Sequence, residues 1–591
     1  MLRKCFFLAT LAAGLFTGAF AQGPIPITVQ HDVPMKTRDG VTLYADIYSP
    51  KAAGKYPVLL ARTPYGKSGH YNVIFGREAA SDGFIVVIQD VRGRYASGGK
   101  WYPFRHEIQD GYDTVEWAAR LPDSDGRVGM FGASYVGVTQ LLAAIGRPPH
   151  LAGICPVVTA SNYFENWTYQ GGEFEQWFDE SWTTELAQDT ANRALRKASD
   201  PRIGADALPL SRYPVFNIPG GIDGAGLTRS LTPYFLDWLS HPTYDSYWKQ
   251  WSIEEHYSQI DVPALTIAAW YDPFLGGSLR NYLGLKAHAA SEVARAGQRL
   301  VVAVGGHSGW GSRVGDVDFG PDADFDDSAI TLDWYEYLFK GVKNEFAAPD
   351  PVRLFVMGID KWRNEPSWPP PGMKEVPYYL HSDGKANTAA GDGTLATQRP
   401  YAESADRYIY NPANPVPTTG GPLCCDAEHL EPGARDQRSV EVRPDVLVYT
   451  TPPLTQDLDV IGPVTLRLYA RSSAVDTDFT GKLVDVSPDG FARNVTEGIL
   501  RASFRNSMSA PTPIKPGKIY CYTIDLWATA NVFLKGHRIR LEVSSSNFPR
   551  FARNLNTGGN AGSSAEYLKA RNMVYHDTLH PSALILPVVS R

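Results

Sequence analysis

A mostly parallel α/β sheet, interrupted by an inserted helical cap and followed by an all-β domain, is the fold class predicted by three features of the sequence. Strand and helix signals alternate over 22–160 and resume over 261–370. Over 161–260 the strand signal disappears, and aromatic and acidic residues recur at helical spacings instead. Beyond Pro369-Pro370-Pro371, over 371–591, short alternating segments are separated by Gly and Pro turns. The chain has room for this: it holds 591 residues, 43% hydrophobic and 20% charged, so it is globular rather than disordered or fibrous.

The elements follow in order. At the N-terminus, Arg3 and Lys4 precede an apolar run over 6–16, and Ala19-Phe20-Ala21 supplies small residues before Gln22. That pattern predicts a secretory signal peptide over 1–21, too short in its apolar part to span a membrane. Behind the turn pair Asp39-Gly40, residues 41–48 alternate with period two, and 56–61 form an apolar strand. The β-branched run 84–88 and the segment 127–131 read as strands buried on both faces, with helices over 113–121 and 138–145. In the cap, Trp167, Trp177, Trp182, Phe235, Trp238, Trp248 and Trp251 carry the helical spacing. Strands over 264–270 and 300–304 complete the core, and the alternating segments 464–469 and 539–543 typify a C-terminal β-sandwich or jelly roll.

Composition also excludes functions. The 56 Lys+Arg against 63 Asp+Glu give a net charge of −7 with no basic block, so nothing favours a nucleic-acid partner. Of the five cysteines, no two have C-x-x-C spacing, which argues against a zinc site. Cys424-Cys425 reads either as a vicinal disulfide or as two ordinary thiols, and cysteine is assigned no part in the function.

The chemistry concentrates at Gly132-Ala133-Ser134-Tyr135-Val136-Gly137, between a buried strand and a helix. A serine on a sharp strand-to-helix turn is how an α/β-hydrolase core exposes its nucleophile, although the second glycine stands one position later than in G-x-S-x-G. Asp272 and His307 each follow a strand, where ligands meet an open α/β sheet. The order Ser134, Asp272, His307 is the one this fold requires. His307 would accept the proton of Ser134, and Asp272 would orient His307 and stabilise the imidazolium. The backbone N–H of Tyr135 is the first oxyanion donor. Tyr65, in the loop Arg62-Thr63-Pro64-Tyr65-Gly66-Lys67, is either the second donor or a packing tyrosine.

At these residues the sequence resembles the α/β-hydrolase family of cocaine esterase, glutaryl-7-aminocephalosporanic acid acylase, α-amino-acid ester hydrolase and X-Pro dipeptidyl peptidase. The resemblance runs through Arg62-Thr63-Pro64-Tyr65, Asp90-Val91-Arg92-Gly93-Arg94, Trp270-Tyr271-Asp272, Phe355-Val356-Met357-Gly358, Ser473 to Phe479 and Ser544-Ser545-Ser546-Asn547-Phe548-Pro549. It implies the Ser134/Asp272/His307 triad, a tyrosine hydroxyl oxyanion donor falling on Tyr65, a helical cap and a C-terminal jelly roll of the X-Pro dipeptidyl-peptidase type. Where the α-amino-acid ester hydrolases carry two acidic residues after the aspartate, this chain has Phe274 and Leu275. An apolar acyl pocket is therefore expected, with Trp167, Trp182 and Phe274 as its substrate-binding residues or, for the tryptophans, as cap core.

Three features read as structural. Asp90 and Arg92 suggest an ion pair at the floor of the site, Glu107/Asp110/Asp113 an acidic helix start, and Asp476/Asp478 an incomplete calcium set. No metal or cofactor is required. The expectation is an exported, periplasmic or secreted serine hydrolase acting on a small-molecule ester, with aromatic or bulky acyl groups favoured. The alternatives are an amide-cleaving acylase or dipeptidyl peptidase, and a carbohydrate-binding module on an inactive scaffold. No membrane partner is expected after signal cleavage, and the oligomeric state is open, a homo-oligomer included.

Overall fold

The computed structural model describes residues 25–197, 231–307, 309–559 and 566–590. The signal peptide expected over 1–21 and part of the expected cap, 198–230, lie outside them.

The core sheet is built from β1 (Ile27–Lys36), β2 (Thr42–Pro50), β3 (Tyr56–Thr63), β4 (Ile85–Asp90), β5 (Ser124–Ala133) and β6 (Leu151–Val157). After a hairpin of β7 (Tyr169–Gln170) and β8 (Glu173–Phe174), it continues with β9 (Leu265–Tyr271) and β10 (Arg299–Gly306). A second hairpin, β11 (Arg313–Val314) and β12 (Val317–Asp318), precedes β13 (Val352–Val356) and β14 (Lys361–Glu365). The sheet order is β1-β2-β4-β3-β5-β6-β9-β10-β13-β14, parallel from β4 to β13 and antiparallel at both edges. Both faces are covered, which is why the strands read as continuous apolar runs. On β3, Val58 and Leu60 join the cluster of helices α2 (Glu107–Ala118) and α3 (Tyr135–Ile145). Leu59 and Ala61 join that of α1 (His70–Ser81).

Two helices start earlier than the spacing predicts. The one expected at 113–121 is α2, beginning at Glu107, because Glu107 and Asp110 are buried rather than solvated. The one expected at 138–145 is α3, beginning directly after Ser134. The cap is also not wholly helical: β7 and β8 precede its long helix α4 (Gln176–Lys197).

Among the described residues the C-terminal domain holds an eleven-stranded sheet, from Lys374–His381 to Ala583–Val589, of the jelly-roll type. Its longest strands, Leu458–Ser472 and Tyr520–Phe533, pair antiparallel. It joins the core through backbone: Met357 N–H donates to Ala530 (2.9 Å), and Val532 N–H donates to Met357 (2.8 Å). Gly358 has φ +86°, and a Cβ there would lie 2.1 Å from the Val532 carbonyl oxygen, so the motif Phe355 to Gly358 marks this close crossing. Among the described residues no helix is long and apolar enough to cross a membrane.

Candidate active site

Ser134 sits between β5 and α3 at φ +62°, ψ −126°, a conformation that a residue with a Cβ rarely adopts. The turn is held by Ser134 N–H donating to Val157 (2.9 Å) and Thr159 Oγ1–H donating to the Ser134 carbonyl (2.9 Å). Gly132 is required here: at φ +124° its missing Cβ would lie 2.4 Å from Val136 Cγ1. Gly137 packs on Thr159, where a Cβ would meet its neighbour at 2.8 Å. The shifted glycine thus serves the packing of α3 on the segment after β6, while Val136 fills the space that Gly132 leaves.

Three strand ends converge on this serine. His307 follows β10, and its Nε2 lies 2.9 Å from Ser134 Oγ. Its Nδ1 lies 2.6 Å from Asp272 Oδ1, after β9. The other oxygen of Asp272 accepts from the Phe274 N–H (3.0 Å). Asp272 is fully buried, and that desolvation raises its pKa while the His307 hydrogen bond pulls it back. With Nδ1–H given to the carboxylate, Nε2 is free to take the serine proton.

Tyr65 follows β3, with its hydroxyl 3.5 Å from Ser134 Oγ. Burial pushes its pKa up to about 12, so the phenol stays protonated. Trp182 Nε1–H donates to the Tyr65 oxygen (3.0 Å), and the Tyr135 backbone N–H also faces it. The Trp182 donor takes up a lone pair of that oxygen, so the Tyr65 O–H is left to donate into the site beside the Tyr135 N–H. The Tyr135 side chain points away into the core, where its hydroxyl accepts from Phe104 N–H (2.7 Å) and donates to Glu107 (3.1 Å).

A cavity of about 440 Å³ opens above Ser134 and His307. Its lining includes Tyr65, Trp182, Glu185 and, from the C-terminal domain, Cys424 and Cys425. Of the three expected acyl-pocket residues, Trp182 lines this cavity. Phe274 stands edge-on to His307 with centroids 5.0 Å apart, and the fully buried Trp167 stacks on Phe274 at 4.7 Å. Neither lines this cavity: Phe274 backs His307, and Trp167 backs Phe274 and, edge-on at 5.4 Å, Trp182.

Of the two readings of Cys424-Cys425 the structure has the disulfide, and the pair walls the cavity, a place that the sequence did not indicate. Other expectations are corrected. Asp90 and Arg92 do not pair with each other. Arg92 forks onto Asp110 (2.6 Å) and Asp39 (2.9 Å), while Asp90 accepts from Lys67 N–H (2.7 Å). Glu107, Asp110 and Asp113 are three separate ion pairs, with Arg62, Arg92 and Arg38. Asp476 pairs with Arg501 (2.7 Å), and Asp478 accepts from Asn554 (2.8 Å). The tryptophan hydrogen bond to Tyr65 and the cysteine wall were invisible to sequence reasoning, because neither leaves a spacing or a motif.

The fold and this arrangement of serine, histidine and buried carboxylate define a serine hydrolase of the α/β-hydrolase type. Residues 39–309 match the family described as X-Pro dipeptidyl-peptidase (S15 family), and residues 344–585 match its C-terminal non-catalytic domain. The chain is 39% identical to the cocaine esterase of Rhodococcus sp. (strain MB1 Bresler), over 95% of this chain and 99% of that one. An aminopeptidase from a marine sediment Thaumarchaeota archaeon superposes with TM-score 0.80 at 25% identity, covering 98% of this chain and 99% of its own. An α-amino-acid ester hydrolase superposes with TM-score 0.78 at 25% identity, covering 98% and 100%. The chain belongs to the X-Pro dipeptidyl-peptidase S15 family, with cocaine esterase as a relative.

Proposed function

We propose that the protein hydrolyses carboxylic esters through an acyl-Ser134 intermediate. The observation that carries this reading is the unbroken hydrogen-bond line Ser134–His307–Asp272 beside the Tyr65 hydroxyl. Ser134 Oγ attacks the ester carbonyl as His307 takes its proton, and the carbonyl oxygen gains negative charge between the Tyr65 O–H and the Tyr135 N–H. His307 then gives that proton to the departing alcohol. A water, deprotonated by His307, releases the acid and restores the serine.

Aromatic or bulky acyl groups are favoured, on the side of the site formed by Trp182, Phe274 and Trp167. Phe274 and Leu275, where the α-amino-acid ester hydrolases are acidic, support that reading. We further propose export, on the strength of Arg3, Lys4, the apolar run and Ala19-Phe20-Ala21; the purified mature chain should begin at Gln22.

A second reading, cleavage of an amide beside a free amino group, draws on Glu185, a carboxylate on the cavity wall able to meet an ammonium. Comparing kcat/KM for an aryl ester, its matching anilide and the same pair with a free α-amino group separates the two. Ester preference without amino-group preference supports the first reading; the reverse supports the second. In either case Ser134→Ala should lower kcat by about 10⁴-fold or more.

A further inference from the structure

The disulfide at the cavity is built into the active site from another domain. Cys424 and Cys425 are bonded to each other, and both line the cavity that holds Ser134 and His307. They sit on the first limb of a loop whose base is closed by reciprocal backbone hydrogen bonds between Gly421 and Gly433 (2.8 and 2.9 Å). The base is fastened to the hydrolase core, where Asp316 N–H donates to Ala434 (2.8 Å) and the Asp316 carboxylate pairs with Arg435 (2.6 Å). Leu423 and Cys424 are buried, so the limb that carries the disulfide is packed, while 427–429 beyond it are exposed. Cys425 holds φ +78°, a left-handed conformation that favours glycine. The small ring closed by a disulfide between neighbours spans the peptide bond joining them, and it constrains this backbone.

The geometry also divides the substrate. The oxyanion faces Tyr65 and the Tyr135 N–H, and the aromatic pair Phe274–Trp167 abuts His307. The departing alcohol must stay within reach of His307 Nε2, which protonates it, and the open cavity that His307 lines has Trp182 and the two sulfurs in its wall. A disulfide is an apolar, polarizable surface held in one place; two thiols are movable and carry weak donors. We propose that the Cys424–Cys425 disulfide is the wall that selects the alcohol half of the ester, and that its reduction resets this selection. The proposal rests on the ester-hydrolase reading above. The chemistry balances with a dithiol reductant: two electrons and two protons pass to the S–S bond, which breaks into two thiols, while the reductant closes to its own disulfide. The other described cysteines, Cys155 and Cys521, are free, so this bond is the target among the described residues.

The test measures kcat/KM for two esters of one acid, one with a small alcohol and one with a bulky apolar alcohol. The oxidised protein, the dithiothreitol-treated protein and the Cys424→Ala/Cys425→Ala variant are compared. Thiol alkylation and mass spectrometry report the state of the pair. Reduction should lower the bulky-to-small ratio by about tenfold, as expected for losing a pocket wall. Reoxidation should restore the ratio. The double variant should show the reduced ratio with or without dithiothreitol, and a second ester pair differing only in the acid should keep its ratio. An unchanged alcohol ratio after verified reduction overturns the proposal, even if the variant fails to fold. So does an equal shift in the acid-varied pair, or alkylation of both cysteines without any reductant. Fluorophosphonate labelling of Ser134 in the same samples separates the two levels: label with an unchanged ratio sinks only this proposal, and no label in folded protein sinks the ester-hydrolase reading with it.

Discussion

At Ser134 the chain accepts a strained backbone so that one hydroxyl stands clear of the sheet, and the surrounding residues make that strain affordable. Gly132 leaves room for Val136, and Thr159 and Val157 hold the peptide on either side. The triad residues were legible because order and strand ends are sequence properties. The role of Trp182 was not: its N–H meets Tyr65 across 117 residues, and in sequence it is one aromatic among many. In the proposed mechanism Trp182, besides walling the cavity, would act on substrate charge through the Tyr65 hydroxyl. Trp182→Phe keeps an apolar ring but removes the N–H, and kcat should fall by about 10-fold with KM nearly unchanged, because the loss is felt in the transition state. A merely packing tryptophan would instead change KM or stability and leave kcat alone. Tyr65→Phe should cost about 10²- to 10³-fold in kcat, and adding Trp182→Phe to it should cost little more.

Elements carry the positioning one step further out. Arg94, at the end of the Asp90 to Arg94 motif, donates to the Pro64 carbonyl (2.8 Å) and to the Leu186 carbonyl (2.7 Å). It therefore ties the Tyr65 loop to α4, the helix that carries Trp182. The sequence marks such a motif as shared with a family without revealing what it holds. Similarly, α2 was placed too late although its acids read as a helix start, because burial of Glu107 and Asp110 depends on arginine partners on β3 and in the turn after β4. In the C-terminal domain, buried His576 lies between Asp406 (2.8 Å) and Glu403 (3.2 Å). Burial alone would lower its pKa, but the hydrogen bond to Asp406 and the two carboxylate charges carry it above the ordinary 6.5. A histidine raised on folding adds stability that is fully present below 6.5 and is lost as pH rises through its folded value. His576→Gln should accordingly lower Tm more near about pH 5.5 than near about pH 8.5, and thermal unfolding at the two values checks it. An equal drop at both would remove the charge from the account.

For the whole molecule, the lesson is that the polar face of the C-terminal sheet is an interior. Strands Asp478–Val486 and Ala492–Arg501 are buried along their entire length, charged residues included. Arg550 reaches Glu497 (2.5 Å) and the cap residue Glu175 (3.7 Å); Arg501 reaches Asp476 (2.7 Å) and the cap residue Glu173 (3.9 Å). Period-two alternation marks a polar face, and a sequence cannot distinguish one that meets solvent from one covered by another domain. The same contact starts the cap helix: Trp177 N–H donates to the carbonyls of Pro549 (3.1 Å) and Arg550 (3.3 Å) at the head of α4. Sheet, helix, Trp182 and Tyr65 thus form one mechanical chain. Arg550→Met would take the arginine from buried Glu175 and leave Glu497 to Lys482 and Asn547, at a cost of about 3–5 kcal/mol, and should lower kcat along with Tm. Loss of Tm with full kcat in the folded fraction would uncouple the domain from the site.

The most direct test of the central claim is the reaction of purified protein with a fluorophosphonate, followed by mass spectrometry of the labelled peptide. Phosphonylation at Ser134 that disappears in His307→Ala is the predicted result. Folded protein that stays unlabelled, or that carries the label on another residue, would contradict an acyl-Ser134 mechanism.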